Sequence, residues 1–160
     1  FLINYTKIYN FTNKTYITVM IEIKRFNFNN KELREKAFAI RNKVFVIGQN
    51  CPADIEYEFE EESTHFLLLE DGVAKATARY RKTEKGIKLE RFAVLVKSRG
   101  KGYGMQILDA ILDDIKDFEG LKYIHAQIQV IPFYEKVGFR KVGNLFEEAE
   151  IMHYKMIYQL

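Results

Sequence analysis

The chain has 160 residues, of which 48% are hydrophobic and 29% are charged, a composition typical of one globular domain. It excludes disordered, collagen-like and coiled-coil proteins. The 25 basic and 22 acidic residues leave a net charge of +3, too small a surplus for a general nucleic-acid or membrane binder. No apolar run reaches the roughly 18 residues that a membrane-spanning helix needs. Cys51 is the single cysteine, so we expect no internal disulfide, no cysteine-based metal site, and a reducing cytoplasm.

Residues 1–19 differ from the rest of the chain. They are rich in Asn, Thr and Tyr, contain no acidic residue, and carry only Lys7 and Lys14 as charges. They lack the charged start, compact apolar stretch and cleavage site of a signal peptide. We expect them to be an N-terminal extension outside the domain, with Met20 as a natural start and residues 20–160 as the domain.

Hydrophobic periodicity predicts a strand and then a helix at the start of the domain. Apolar residues alternate over 21–26, and they recur at helical spacing over 33–44, with Asn29 or Asn30 as the helix cap. The acidic stretch 54–62 follows. A solvated loop is its favoured interpretation, and a surface that attracts a cationic amine is the alternative.

Hairpin-linked strands are predicted in the middle of the chain. The apolar run 65–70 and the alternating segment 74–81 flank Asp71-Gly72, a strong hairpin turn. A third strand follows, and its alternation changes phase near Glu90, which predicts a β-bulge there. The positions expected to alternate after the bulge are Phe92, Val94 and Val96.

The remaining pattern predicts two helices and three strands. The helices span 102–118 and 132–136, and the strands span 121–127, 139–146 and 150–158. Together the elements predict one α/β domain in which helices pack on a mixed sheet.

The sharpest motif is the glycine-rich turn at residues 99–104, RGKGYG, between a predicted strand and a predicted helix. Glycines let several backbone N–H groups converge on one point, and a helix N-terminus carries about half a positive charge. The turn therefore predicts a phosphate site, with Lys97, Arg99 and Lys101 adding positive charge. A plain turn with solvated cations is the alternative.

The spacing of this turn does not fit two nucleotide motifs. A Walker A loop needs Ser or Thr after Lys101, where Gly102 stands, and a Rossmann fingerprint from Gly100 needs Gly or Ala at Met105. The pattern R-x-x-G-x-G over 99–104 instead resembles the pyrophosphate loop of the GCN5-related N-acetyltransferase (GNAT) superfamily.

The rest of the chain extends this resemblance. Residues 132–139, PFYEKVGF, are similar to the superfamily's second signature, a short helix carrying Phe-Tyr-x-Lys-x-Gly-Phe. Residues 40–52 with His65, and the triplet at 125–127, resemble the ElaA-like branch. The resemblance covers residues 20–158 and implies the GNAT fold, an α/β fold with a mixed central sheet of six to seven strands flanked by helices.

The resemblance implies acetyl transfer from acetyl-CoA, as cosubstrate and without a metal, to a primary amine by direct attack in a ternary complex. It implies a backbone N–H near Val94 as oxyanion donor and Tyr134 as proton donor to the thiolate. Glu90 is the best acidic candidate for drawing a proton from the amine, directly or through water, because it lies on the strand just before the expected bulge. Pure packing for Tyr134, and an exposed carboxylate beside Arg91 for Glu90, stay open as alternatives. The implied cofactor-binding residues are Phe92, Ala93, Val94, Arg99, Gly100, Lys101, Gly102, Tyr103, Gly104, Gln127, Phe133 and Tyr134.

The resemblance implies a small-molecule amine as acceptor and a second copy in a homodimer, and the small net charge argues against nucleic acid and membrane as partners. Two residues depart from the branch, since Gly48 stands where Glu is usual and Val96 where many relatives have Pro. Gly48 keeps open a non-catalytic acyl-CoA-binding module, and an acyltransferase of the same fold with another acyl donor or acceptor is a further alternative. Among the three histidines, His125 ranks first as a functional candidate, although packing is the commoner role.

Overall fold

The computed structural model describes residues 2–10, 12 and 15–159. The chain divides into two compact units, Phe1–Arg79 with Arg91–Ile115, and Tyr80–Glu90 with Lys116–Leu160. Among the described residues, no helix is long and apolar enough to cross a bilayer.

The first unit contains four neighbouring strands in the order β1-β2-β3-β4, with β1–β2 and β2–β3 antiparallel. Strand β4 ends in the second unit, and strand β5 begins there and ends in the first. The elements are β1 (Leu2–Asn10), β2 (Thr15–Phe26), α1 (Lys31–Arg41), a π-helical turn (Asn42–Ile47), α2 (Ala53–Glu56), β3 (Ser63–Glu70), β4 (Val73–Thr83), β5 (Gly86–Val94), a 3-10 turn (Val96–Ser98) and α3 (Tyr103–Asp114).

The second unit contains strands in the order β5-β6-β8-β7. Strands β5 and β6 are parallel, whereas β6–β8 and β7–β8 are antiparallel. The predicted α/β architecture, a mixed sheet with helices, is therefore confirmed. The remaining elements are β6 (Lys122–Gln127), a 3-10 turn (Ile128–Val130), α4 (Ile131–Glu135), β7 (Phe139–Glu148) and β8 (Ile151–Tyr158).

The two longer helices show how local sequence sets their ends. The Asn30 side chain caps α1 by accepting the Leu33 N–H at 3.1 Å, as predicted. Helix α3 ends at Asp114, four residues before its predicted end. Acidic residues crowd that end and no basic residue lies in the last turn, so the helix dipole disfavours continuing it.

Part of the N-terminal segment belongs to the sheet. Strand β1 pairs with β2 from Leu2 opposite Ile23 to Asn10 opposite Thr15. This pairing adds a strand beyond those expected within residues 20–160. The boundary at Met20 remains a prediction.

The core of the first unit lies between α1 and the sheet. Ala37 and Ile40 of α1 pack with Leu67, Leu69 and other buried apolar residues, among them Ala93. The expectation that Val96 continues an alternating apolar strand is wrong, because its exposed fraction is 72% and the strand has ended at Val94.

The phase of β5 also differs from the prediction. Ala93 is buried, whereas Phe92 and Val94 are only half-buried. The irregularity predicted near Glu90 takes the form of a left-handed residue, Arg91, with φ 60°. The left-handed backbone at Arg91 shifts the alternation of side chains along β5, so that Ala93 faces the core in place of Phe92 and Val94.

A buried network of charges ties α1 to the acidic stretch. The Arg41 guanidinium donates to Glu56 Oε1 and to Glu60 Oε1, both at 2.6 Å. Arg79 Nη1 donates to the same Glu60 oxygen at 2.5 Å. Arg41, Glu56 and Arg79 are each 1% exposed, so these charges are compensated by one another rather than by water.

Arg91 joins this network from the left-handed position. Its Nε lies 2.9 Å from Glu56 Oε2, and its Nη2 donates to the Ile55 carbonyl at 2.7 Å. His65 also belongs to this network, since its Nε2–H donates to the Glu60 carbonyl at 3.1 Å. Burial lowers the pKa of His65, so the ring is a neutral donor here.

The left-handed backbone of Arg91 yields a stability prediction. Arg91→Ala removes the bonds to Glu56 and Ile55 but keeps a side chain with positive φ, so we expect a loss of about 2 to 4 kcal/mol in the free energy of unfolding. Arg91→Gly removes the same bonds and the steric cost, and should be about 1 kcal/mol more stable than the alanine variant. Urea unfolding followed by circular dichroism measures both. An alanine variant at least as stable as the glycine variant would show that the left-handed backbone at position 91 is not strained.

Candidate active site

The glycine-rich loop leads directly into the first turn of α3. Gly100 and Gly102 have φ of 79° and 80°, a left-handed backbone conformation that residues other than glycine rarely adopt. Gly102 is the N-cap of α3, and no side chain caps that turn in the described part of the chain. The first helical N–H groups therefore have no side-chain cap, and the phosphate site at this turn remains a prediction.

One carboxylate, Glu70 at the end of β3, holds the loop in place. Its Oε1 accepts from Lys101 Nζ at 2.9 Å and from the Tyr103 hydroxyl at 2.5 Å, and Lys75 Nζ lies 3.4 Å from Oε2. Burial acts to raise the pKa of Glu70, but the bonds from Tyr103 and Lys101 outweigh it and lower that pKa. The Lys101 ammonium is therefore bound by Glu70 in this structure.

Arg99 presents its guanidinium at the start of the loop. Its side chain is exposed, and its Nε donates to the Val94 carbonyl at 3.3 Å. The strand before the loop is fixed by Leu95, whose N–H donates to the Lys75 carbonyl at 3.0 Å. A role for a backbone N–H near Val94 toward an oxyanion remains a prediction.

In the second unit, Tyr134 lies on α4 with an exposed fraction of 4%. Its ring packs edge-on against the half-buried Phe133 and against Phe139, with centroids 4.9 and 5.7 Å away. Burial raises the pKa of its phenol well above the ordinary value, so the hydroxyl keeps its proton. Packing and proton donation are compatible at this residue.

Glu90 lies on β5 of the second unit and is buried. Arg81 Nε lies 3.0 Å from its Oε1, and Lys88 Nζ lies 3.3 Å from its Oε2. The alternative of an exposed carboxylate is therefore wrong, because two cations from the unit compensate its charge and make burial tolerable.

On β6, Gln127 accepts at its Oε1 from the Gln129 amide at 2.6 Å.

The acidic stretch is only partly the solvated loop that its composition predicts. Four of its carboxylates are exposed, namely Asp54, Glu58, Glu61 and Glu62. Glu56 and Glu60 are buried because Arg41, Arg79 and Arg91 neutralise them. Only the exposed four are available to attract a cationic amine.

Gly48 closes the π-helical turn that precedes this stretch. Its N–H bonds to the Phe45 carbonyl, and its φ of −81° is open to any residue. A Cβ there would lie 3.0 Å from the Lys43 carbonyl oxygen, so a glutamate at this position needs a small local shift.

The predicted site residues thus fall into two groups. The first unit contains Phe92, Ala93, Val94, Arg99, Gly100, Lys101, Gly102, Tyr103 and Gly104. The second contains Glu90, Gln127, Phe133 and Tyr134. Sequence reasoning missed Glu70, whose only signal is a single charge that ends an apolar strand. It also missed Glu148, which accepts from His125 Nδ1 at 3.0 Å.

Metal ligands are not grouped in the described residues, where no three His, Cys, Asp or Glu side chains are placed to hold an ion. The loop in the first unit offers backbone N–H groups and cations, which suit a phosphate ligand. The second unit offers a buried phenol, a group that can transfer a proton.

The sequence matches the family described as "Acetyltransferase (GNAT) domain" over residues 30–160. It is 36% identical over 131 residues to the uncharacterized N-acetyltransferase YjcF of Bacillus subtilis, covering 80% of this chain and 94% of that one. It is 30% identical over 124 residues to the ElaA protein of Escherichia coli, covering 73% of this chain and 81% of ElaA.

Solved structures share the fold. The crystal structure of Escherichia coli ElaA superposes with a TM-score of 0.78 at 24% identity, covering 88% of this chain and 100% of that one. An aminoglycoside 6'-N-acetyltransferase complexed with coenzyme A superposes with a TM-score of 0.69 at 14% identity, covering 85% of this chain and 95% of that one. The predicted GNAT fold and its ElaA-like branch are confirmed.

The ion pair between Lys101 and Glu70 yields a prediction about anion binding. Glu70→Gln keeps an acceptor for Tyr103 but removes the negative charge beside the loop, so inorganic pyrophosphate should bind about three- to tenfold more tightly. Isothermal titration calorimetry at low salt measures the affinity. Glu35→Gln, on the exposed face of α1, is the charge-matched control and should bind like the unmodified chain. Equal affinity in both variants would show that Glu70 does not restrain Lys101.

Proposed function

Because the chain belongs to the GNAT acetyltransferase family, we propose that it transfers the acetyl group of acetyl-CoA to a primary amine of a small molecule by direct attack in a ternary complex. The observation that carries the proposal is the uncapped first turn of α3 behind two left-handed glycines. We propose that it acts in the cytoplasm and as a homodimer.

The loop at 99–104 is proposed to bind the pyrophosphate of acetyl-CoA. The N–H groups of the first turn of α3 donate to phosphate oxygens, and the helix dipole favours the negative charge. Arg99 is exposed and supplies a fixed positive charge. Lys101 contributes when its ammonium turns from Glu70 to the phosphate.

The chemistry then needs a neutral amine, a donor for the oxyanion and a proton for the departing thiolate. The amine nitrogen forms the C–N bond, the C–S bond breaks, and the electron pair leaves with the sulfur. Tyr134 is the proposed donor to that sulfur, because its buried phenol remains protonated. The N–H near Val94 is proposed to bind the oxyanion.

The acceptor is proposed to be cationic in solution, such as a polyamine, an aminoglycoside or a lysine side chain. The exposed carboxylates of the acidic stretch supply the attraction, since Glu56 and Glu60 are neutralised inside the network. Polyamines, aminoglycosides and lysine side chains are therefore the three amine classes to test as acceptors.

Ligand binding separates this proposal from other phosphate ligands. In calorimetric titrations, acetyl-CoA should bind, whereas NAD and ATP should not, since the loop departs from both of their motifs. Binding of NAD or ATP in place of acetyl-CoA would overturn the proposal. Acetyl-CoA binding without release of CoA thiol in the presence of any amine of the panel would favour the non-catalytic acyl-CoA-binding module.

Replacement of Tyr134 tests the proton donor. Tyr134→Phe removes only the hydroxyl, so we expect kcat for acetyl transfer to fall about 10²-fold with little change in the affinity for acetyl-CoA. Phe139→Leu is the packing control, because it alters a ring beside Tyr134 and leaves the phenol. Thiol release measures the rate. An unchanged rate in Tyr134→Phe would remove the phenol from the mechanism.

A further inference from the structure

A second acid–base group lies in the second unit, on β6 and β7. His125 Nδ1 lies 3.0 Å from Glu148 Oε2, and the His125 side chain is 27% exposed. Lys88 Nζ lies 3.8 Å from Glu148 Oε1 and 3.3 Å from Glu90 Oε2. His125, Glu148 and the predicted base Glu90 therefore belong to one cluster within this unit.

The hydrogen-bond partner of His125 Nδ1 determines which ring nitrogen carries the hydrogen. The bond to His125, with help from Lys88, lowers the pKa of Glu148 to about 2 although its side chain is 44% exposed, so this carboxylate is ionised and only accepts. The Nδ1 atom must then carry the hydrogen. In the neutral ring Nε2 keeps its lone pair, and it makes no hydrogen bond with the described residues.

Aromatic side chains hold the ring in this orientation. The Tyr123 ring lies 5.8 Å from the His125 ring, and the Phe146 ring meets it edge-on at 4.8 Å. His125 also precedes Gln127, the proposed contact of the cofactor, by two residues on the same strand, so both side chains are on one face of β6. A half-exposed, oriented imidazole is suited to proton transfer.

Glu90 is the poorer base of the two. Arg81 and Lys88 engage its two oxygens separately, and the side chain is 7% exposed. A proton on either oxygen would have to displace a buried ion pair, whereas a proton on His125 Nε2 displaces no bond made by the described residues. The arrangement favours the imidazole as the proton acceptor.

We propose that His125, held by Glu148, is the general base that deprotonates the amine acceptor. This inference rests on the proposed function and names the base for that reaction. Nε2 takes one proton from the ammonium form, and the freed lone pair makes the C–N bond. As the C–S bond breaks, the Tyr134 phenol protonates the departing thiolate. The nitrogen releases its second proton to solvent, the phenol regains a proton from solvent, and the imidazolium returns its own proton to solvent.

The charged and titratable neighbours of His125 come from each adjoining strand. They are Lys88 and Glu90 on β5, Glu148 on β7, His153 and Lys155 on β8, and Tyr123 on its own strand. His153 differs from His125 because its Nδ1–H donates to the Ile151 carbonyl at 2.7 Å and its side chain is buried. It offers a matched control histidine in the same unit.

Chemical rescue tests the base. In His125→Ala, kcat for the best amine of the panel should fall about 10²- to 10⁴-fold with unchanged KM for acetyl-CoA, and added imidazole should restore activity in proportion to its concentration. His125→Gln should lose a similar factor, and imidazole should not restore it, since the amide fills the space. His153→Gln should retain kcat. Imidazole with the unmodified chain and no amine corrects for direct acetylation of imidazole.

The outcomes separate this inference from the proposed function. An active unmodified chain whose His125→Ala variant keeps its kcat, or loses it without rescue by imidazole, overturns the base and leaves acetyl transfer standing. A chain that binds acetyl-CoA but releases no thiol with any amine overturns both. Calorimetric binding of acetyl-CoA and thermal unfolding of each variant confirm that a lost rate does not reflect a lost fold.

Discussion

The first unit depends on the shared carboxylate of Glu60. Two guanidinium groups, from Arg41 and Arg79, bind the same oxygen at 2.6 and 2.5 Å, where hardly any water reaches them. Removing one partner of a buried pair costs about 3 to 5 kcal/mol, because a charge is left without compensation. The end of α1, the acidic stretch and β4 must therefore fold together, since each supplies a charge that the others cannot bury alone.

The same network fixes the chain that enters the loop. Arg91 is bound to Ile55 and Glu56, and its left-handed backbone directs Ala93 to the core. From there the strand ends at Val94, and the loop is held at its far side by Glu70 through Lys101 and Tyr103. The N–H groups at the start of α3 are thus oriented by charge pairs on both sides of the loop, which is the preorganisation that anion binding requires.

Periodicity and glycine spacing predicted the longer helices and the strands from β2 onward, because those signals are local, but they did not predict β1 or α2. The cap at Asn30, the hairpin after β3 and the glycine-rich loop each depend on a few consecutive residues. The buried charges could not be predicted in this way. The alternation of β4 puts Arg79 among the polar positions of the strand, and its partner Glu60 lies 19 residues away in a stretch whose composition indicates a loop. Pairing between distant charges leaves no periodic trace in a sequence.

The proposed acid and the proposed base, both in the second unit, have opposite environments. Tyr134 is surrounded by aromatic rings, so its phenol holds a proton and can only donate it at neutral pH. Glu148 is bonded to His125 and has a pKa of about 2, so it holds no proton and leaves the imidazole Nε2 as an acceptor. Groups whose environments push their proton affinities apart are suited to be the acid and the base of one reaction. Glu90 differs from both, because Arg81 and Lys88 each lie beside one of its oxygens, and the same Lys88 ammonium lies 3.8 Å from Glu148.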